Sequence, residues 1–506
     1  MLASIPSATV LGVTGLPVRV EVHVANGMPC ITIVGQPDGP CREAAARIKA
    51  AFNTCELQWP RHKITVNLAP SSVRKLGSGL DLAIAVGLFV AGGDLAPEAV
   101  AGMAFLGELG LDGAVRSVPG LVPLVGALEH PLVVVPADGY HAAVAVVGDR
   151  ARAIGRLDEL WAALLGWAPW PDPPEQPAAI PEPPLPDLAD VRGQAVARRA
   201  LELSAAGGHH LLLVGPPGAG KMMLARRLLG LLPELDGQAA LEVTCVHSAA
   251  GLPLPPSGLV TRPPFRAPHH GASAPAVVGG GSAALRPGEI SLAHRGLLFL
   301  DELAEFPASV LDALRTPLEE GVVRISRARA SVELPARFLL VGAMNPCPCG
   351  DGGPLGSCRC SPASRARYTR RLSGPLLDRF DLRVEVARPA PGELLGGVGG
   401  EPTCSTAARV AVARALAQDR GVRVNAELDA AGLDRWARPC PAARDVLEVA
   451  LRTGMLSARG LARVRAVART AADLAGRESP ELAADDIALA LTLRQPVSHL
   501  DQRLAG

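Results

Sequence analysis

Residues 210–229, HLLLVGPPGAGKMMLARRLL, decide the fold. Four apolar residues run into Gly215-Pro216-Pro217-Gly218-Ala219-Gly220-Lys221, and a helical pattern follows. A loop that cradles phosphates needs this order. Glycines let backbone N–H groups turn inward, the helix N-terminus favours anions, and the lysine reaches the outer phosphates. The motif ordinarily closes with Ser or Thr, whose hydroxyl binds Mg²⁺. Here Met222 follows Lys221. A thioether is a poor ligand for a hard cation, so the sequence predicts nucleotide binding with weakened hydrolysis.

Working outward, residues 296–306 read GLLFLDELAEF, and Asp301 comes eighty residues after Lys221. In this context Asp301 is read as the Mg²⁺ ligand and Glu302 as the group that polarises the attacking water. FLLVGAMNPC (338–347) ends a further strand and puts Asn345 where an amide senses the γ-phosphate. SGPLLDRFDL (373–382) presents Arg379, suited to a neighbouring subunit's γ-phosphate or to a salt-bridged helix end. LSARGLARVRAVARTAADL (456–474) puts Arg459 and Arg463 on one helix face, with Arg459 the nucleotide-contacting candidate.

Apolar strands at 210–214, 296–300 and 337–341 alternate with helices over 188–390, which predicts a mainly parallel sheet. Before it, 1–167 reads as an α/β unit, with strands at 18–24 and 64–68, a short apolar run at 31–34 before Gly35, and helices at 43–52 and 82–91. Residues 168–187 hold nine prolines and form a semi-rigid linker. Residues 391–506 form a helical unit, and from 405 on no strand is expected; over 405–470 there are twelve Arg against six acids. The length of 506 residues suits roughly three domains.

A balance of 50 basic against 49 acidic residues excludes a globally basic DNA coat. The first basic residue is Arg19, so no secretory signal is read, and the apolar run 82–93 is too short to span a bilayer. The expectation is a soluble cytoplasmic protein without a membrane partner. Cys347-Pro-Cys349 and Cys358-Arg-Cys360 offer four thiolates suited to tetrahedral zinc; reduced cysteines and an iron–sulfur cluster are the other readings. GVVRISRARASVEL (321–334) reads as a hairpin with Arg324, Arg327 and Arg329 near its tip, either gripping DNA phosphates or forming a solvated turn. Arg262 to His270, with Phe265 available for stacking, is a second DNA candidate. The adjacent His269 and His270 are read as ordinary loop hydrogen-bonding residues rather than metal ligands.

These motifs, in this order, look like an AAA+ ATPase. DLADVRGQ (187–194), RPPFRAPHH (262–270), PGEISLAHRGLLFLDEL (287–303), AMNPCPCG (343–350) and SGPLLDRFDL resemble the ComM/YifB family of magnesium-chelatase-like proteins. VGQPD (34–38) and ITVNLAPSSVRKLGSGLDLAIAVG (64–87) resemble that family's first domain. The resemblance covers nearly the whole chain. It implies an N-terminal Lon-protease-like α/β domain, a P-loop AAA+ core and a helical lid. It further implies ATP and Mg²⁺ as cofactors, homo-hexameric rings, and movement of branched DNA during natural transformation. By motif position Lys221, Asp301, Glu302, Asn345, Arg379 and Arg459 take the roles given above. Three rival readings remain open: metal insertion into a porphyrin, a nucleotide-binding scaffold without turnover, and a Ser78/Lys75 peptidase.

Overall fold

The computed structural model describes residues 1–178, 183–281, 285–327, 330–350, 358–396 and 399–494. The chain is an α/β protein. Its N-terminal part opens with a long antiparallel hairpin, Leu2–Leu11 against Thr14–Ala25, in the register Leu2↔His23 to Leu11↔Thr14. Lys63–Ala69 adds antiparallel to the second strand, and Cys30–Val34 adds parallel to Lys63–Ala69 at the far edge. Alternation in VRVEVHV buries Val18, Val20, Val22 and Val24 on one face. The helices Gly39–Thr54 and Asp81–Gly92 cover that face. The helix Asp81–Gly92 is apolar all round from Leu82 on, and residues 82–91 are buried as the sequence predicts. A second, three-stranded parallel sheet joins Met103–Phe105, Leu132–Pro136 and Ala151–Ile154.

The central sheet has five parallel strands in the order Phe265–Arg266, Leu297–Leu300, Leu339–Met344, Leu211–Val214, Leu382–Glu385. Its strands are apolar on both faces because both are covered. Leu211, Leu213, Phe299, Val341 and Val384 pack on one side with the helix Ala195–Gly207 and the C-terminal helices. Leu212, Val214, Leu298, Leu300 and Leu340 pack on the other with the hairpin Val322–Arg327/Ala330–Pro335. The C-terminal helices are Thr403–Asp419, Ala430–Trp436, Pro441–Arg452, Ala458–Leu474 and Ala484–Thr492. Among them lies a pair the periodicity did not predict, Arg438–Pro439 parallel to Glu481–Leu482. At two residues a strand is too short to leave a period-two signal.

The units touch. Gly120 N–H donates to the Ser248 carbonyl at 2.8 Å, and Val122 N–H donates to Ser248 Oγ at 3.3 Å. The Pro-rich segment lies against the fold, its Gln176 amide donating to the Pro256 carbonyl at 3.3 Å. Among the described residues no helix is long and apolar enough to cross a membrane.

Candidate nucleotide site

Gly215 to Lys221 follows the strand Leu211–Val214 at the C-terminal edge of the sheet. Gly218 (φ +79°) and Gly220 (φ +87°) take left-handed backbone, which glycine adopts without strain. A Cβ at Gly215 would collide with the Val386 carbonyl, so that glycine lets two loops pass closely. Nothing crowds Gly218, and that side of the loop is open for a ligand. Lys221 is the first residue of the helix Lys221–Leu228, whose unpaired N-terminal amides face the same place.

The Lys221 ammonium donates to the carbonyls of Gly215 (2.6 Å) and Pro216 (3.1 Å) and to Asn345 Oδ1 (3.0 Å). Burial lowers its pKa, opposed by the charges of Asp301 and Glu302. The structure therefore gathers Lys221, Asn345, Asp301 and Glu302 around one loop. The reason is topological: the strands ending at Val214, Leu300 and Met344 are parallel neighbours, so their C-terminal ends converge. The Met222 side chain is 42% exposed and brings no oxygen to the site.

Glu302 sits at φ +51°, an uncommon conformation for a residue with a Cβ. Its carboxylate meets His270 Nδ1 at 2.9 Å, and the rings of His269 and His270 lie 4.1 Å apart. His269 Nδ1 accepts from Gly271 N–H at 3.1 Å. The His270–Glu302 pair was invisible in sequence, because thirty-two residues separate its members and no motif spacing links them. Two further residues escaped the sequence reading. Gln194 donates to the Ala219 carbonyl at 2.9 Å, and Arg388 Nε donates to the Pro217 carbonyl at 3.2 Å. Gln194 stands at φ +57°, immediately before a helix, which sequence does not announce.

Arg379 and Arg459 lie elsewhere. Arg379 precedes the strand Leu382–Glu385, while Leu382 N–H donates to the His210 carbonyl; this is the N-terminal edge of the sheet. One strand length, roughly 13 Å, separates that edge from the phosphate loop. Arg379 is ion-paired with Glu319, and its pKa is lowered by burial and by the nearby charges of Arg463 and Arg459. Arg463 pairs with the buried Asp381, which is held below the usual carboxylate range despite its burial by His209 and Arg463.

Part of the basic excess of 405–470 is taken up in ion pairs, while Arg435, Arg438, Arg444 and Arg459 are exposed. Arg409 pairs with Glu202 and Glu401, Arg420 and Arg469 with Asp473, Arg423 with Glu427, and Arg465 with Asp434. On the hairpin, Arg324 is held between Glu320 and Glu333. The Arg327 side chain and the whole of Arg329 lie outside the described residues. In the segment 262–270, Arg266 is held by Glu289 at 2.6 and 2.7 Å, and Phe265 stacks on Phe299.

The N-terminal Ser78 and Lys75 share no described contact. Ser78 Oγ donates to Glu108, and the fully buried Lys75 ammonium donates to the carbonyls of Pro70 and Val73.

A parallel sheet whose strand ends carry Lys221, Asp301, Glu302 and Asn345 defines an ATPase of the AAA+ class. Comparison with known sequences gives the narrower placement. Residues 187–394 match the family described as magnesium chelatase, subunit ChlI. Residues 20–138 match subunit ChlI of Mg-chelatase, and residues 400–494 match the ChlI C-terminal family. An uncharacterized protein of Mycobacterium tuberculosis is 46% identical, over 97% of this chain and 98% of its own. YifB of Escherichia coli, itself uncharacterized, is 41% identical over 94% and 93%. The competence protein ComM of Haemophilus influenzae is 41% identical over 94% of each chain. The chain belongs to the ComM/YifB family of magnesium-chelatase-like proteins.

Proposed function

We propose that this protein is a cytoplasmic, ring-forming motor that uses ATP to migrate branched DNA, in the service of recombination or natural transformation. The observation that carries the ATP half is the Lys221–Asn345 contact beside Asp301 and Glu302. The relation to a competence protein supports the DNA half. So does the position of the hairpin 322–335. It lies in the chain between the strand ending at Leu300 and the strand starting at Leu339, and it shares a hydrophobic core with Leu303 and Phe306 beside the two acids.

The residues fit ATP and Mg²⁺ in part. The amides of Gly218 to Lys221 and the Lys221 ammonium would take the phosphates, and Asp301 would hold the metal, which neutralises charge on the transferred phosphoryl group. Glu302 would polarise the attacking water, with His270 fixing its carboxylate. The metal's usual second hydroxyl contact has no counterpart in Met222, which supports a second reading: a nucleotide-binding scaffold with impaired hydrolysis. In a homo-hexamer, Arg379 and Arg459, at the edge away from their own loop, would serve a neighbour's nucleotide. A thiolate-bound zinc ion completes the proposed cofactors.

The test is the ATP hydrolysis rate with Mg²⁺, with and without forked DNA, against Lys221→Ala as the blank. Hydrolysis above the blank and stimulated by the fork supports the motor. A rate equal to the blank in both conditions removes the motor and leaves the scaffold.

A further inference from the structure

Four thiols meet beside the nucleotide loop. Cys347 Sγ lies 3.2 Å from Cys349 Sγ and 3.5 Å from Cys358 Sγ, and Cys349 and Cys358 are 3.5 Å apart. With Cys360, all four sulfurs lie within 4.8 Å of one another. None is in a disulfide, and the separations are far beyond the S–S bond of about 2.05 Å. A tetrahedral ion with Zn–S bonds of about 2.3 Å holds its sulfurs about 3.8 Å apart. The separations among Cys347, Cys349 and Cys358 fall a few tenths of an ångström below that value, and Cys360 lies within 4.8 Å of all three.

The cluster is joined to the site on two sides. Cys347 is only 2% exposed and follows Asn345 by two residues. Gly350 N–H closes a turn on the Cys347 carbonyl at 2.9 Å, at φ +86°. A Cβ on Gly350 would lie 2.6 Å from Pro217 Cδ, so this turn rests directly on the phosphate loop. On the other side, Cys360 leads into the helix Pro362–Thr369, capped by Ser361. The buried Tyr368 of that helix lies beside the Asn345 backbone.

We propose that Cys347, Cys349, Cys358 and Cys360 bind one zinc ion as thiolates, and that this ion clamps the Asn345 segment against Pro217 of the phosphate loop. Four thiols bind one Zn²⁺ and release four protons to solvent, with no change of oxidation state. Four soft sulfur donors select zinc over Mg²⁺, so the ion does not compete for Asp301. The clamp rests on the nucleotide reading of the loop; the zinc ion itself does not.

The experiment is metal analysis of the full-length protein purified under reducing conditions, with fluorescent ATP-analogue binding on the same samples. About one zinc per chain is expected. It should be lost in the Cys358→Ser/Cys360→Ser double variant and retained in Cys404→Ser and Lys221→Ala. The zinc-free variant should bind the analogue on the order of tenfold more weakly. Should the double variant misfold, organomercurial titration of the native protein with a metallochromic dye replaces it. Zinc must then appear as the cluster's thiols are consumed. Less than a tenth of an equivalent of zinc, iron in its place, or zinc that survives in the double variant overturns the ion. Zinc present with unchanged nucleotide affinity on its removal overturns the clamp. Zinc bound to wild-type protein that takes up no analogue at all leaves the ion standing and sinks the nucleotide reading with the clamp.

Discussion

Lys75 and Lys221 make nearly the same bonds for opposite ends. Each ammonium donates to two backbone carbonyls on its own loop, Pro70 and Val73 in one case, Gly215 and Pro216 in the other. Lys75 is wholly buried, and its pKa is lowered by burial with no carboxylate opposing the shift. It locks the loop that leads into the helix Asp81–Gly92. Lys221 is only partly buried, has a third partner in Asn345, and has Asp301 and Glu302 nearby. Beside it Gly218 leaves space, and a helix N-terminus supplies amides. A lysine on a Gly/Pro loop is thus a brace or a phosphate ligand according to what else faces the cavity.

The sharpest way to break this comparison is to remove each ammonium. Lys221→Ala should weaken ATP binding about a hundredfold, the scale of a lost charged hydrogen-bond set, while the unfolding temperature barely moves. Isothermal titration and a thermal melt together check it, and equal ATP affinity would make Lys221 a brace like its counterpart. Lys75→Met should do the reverse. Two buried carbonyls lose their donor, at a cost of about 2 kcal/mol, and ATP affinity should hold; a chemical-denaturation curve matching wild type would contradict the brace.

Met222→Ser restores the missing oxygen beside Lys221. If the Mg²⁺ site is otherwise intact, hydrolysis at saturating Mg²⁺ should rise about tenfold, or about 1.4 kcal/mol of barrier. No rise would mean that another group already supplies the contact. The smallest effect concerns pH. Burial lowers the pKa of His210 from 6.5 to about 4, and its neutral Nδ1 accepts from Leu340 N–H at 3.1 Å. Because the folded value lies below the unfolded one, this contribution is present above pH 6.5 and is lost as pH falls toward 4. At pH 5.5 the loss should be about 1 kcal/mol, seen as a shallower acid slope in His210→Asn than in wild type. Parallel slopes would remove His210 from the acid response.

Much of the nucleotide site was legible because its chemistry is written at strand ends. An apolar run, then Gly-x-x-Gly-x-Gly-Lys, fixes Lys221 relative to the loop, and the other strand ends can only converge in a parallel sheet. Tertiary pairs were not legible. His270 reaches Glu302 through loop geometry, and Asp381 collects Arg463 and His209 from two distant stretches of the chain. Arg excess over 405–470 reads as a basic surface in a one-dimensional count. In three dimensions Arg409, Arg420, Arg465 and Arg469 are tied to Glu202, Asp473 and Asp434, which leaves a smaller exposed set. The first hairpin strand, Leu2–Leu11, went unread because four of its five buried residues, Ala3, Ser7, Ala8 and Thr9, are small or polar and only Ile5 is large and apolar.

The hairpin Val322–Arg327/Ala330–Pro335 has a further consequence. Its Val332 and Leu334 press against the turn at Leu11–Val13 of the N-terminal part, close enough that a side chain on Gly12 would strike Val332. The same hairpin shares a core with Leu300 and Leu303, which flank Asp301 and Glu302. The hairpin is therefore a connecting rod. One packed core thus joins the turn at Leu11–Val13 to the strand that ends at Leu300, so neither can be displaced without opening that core.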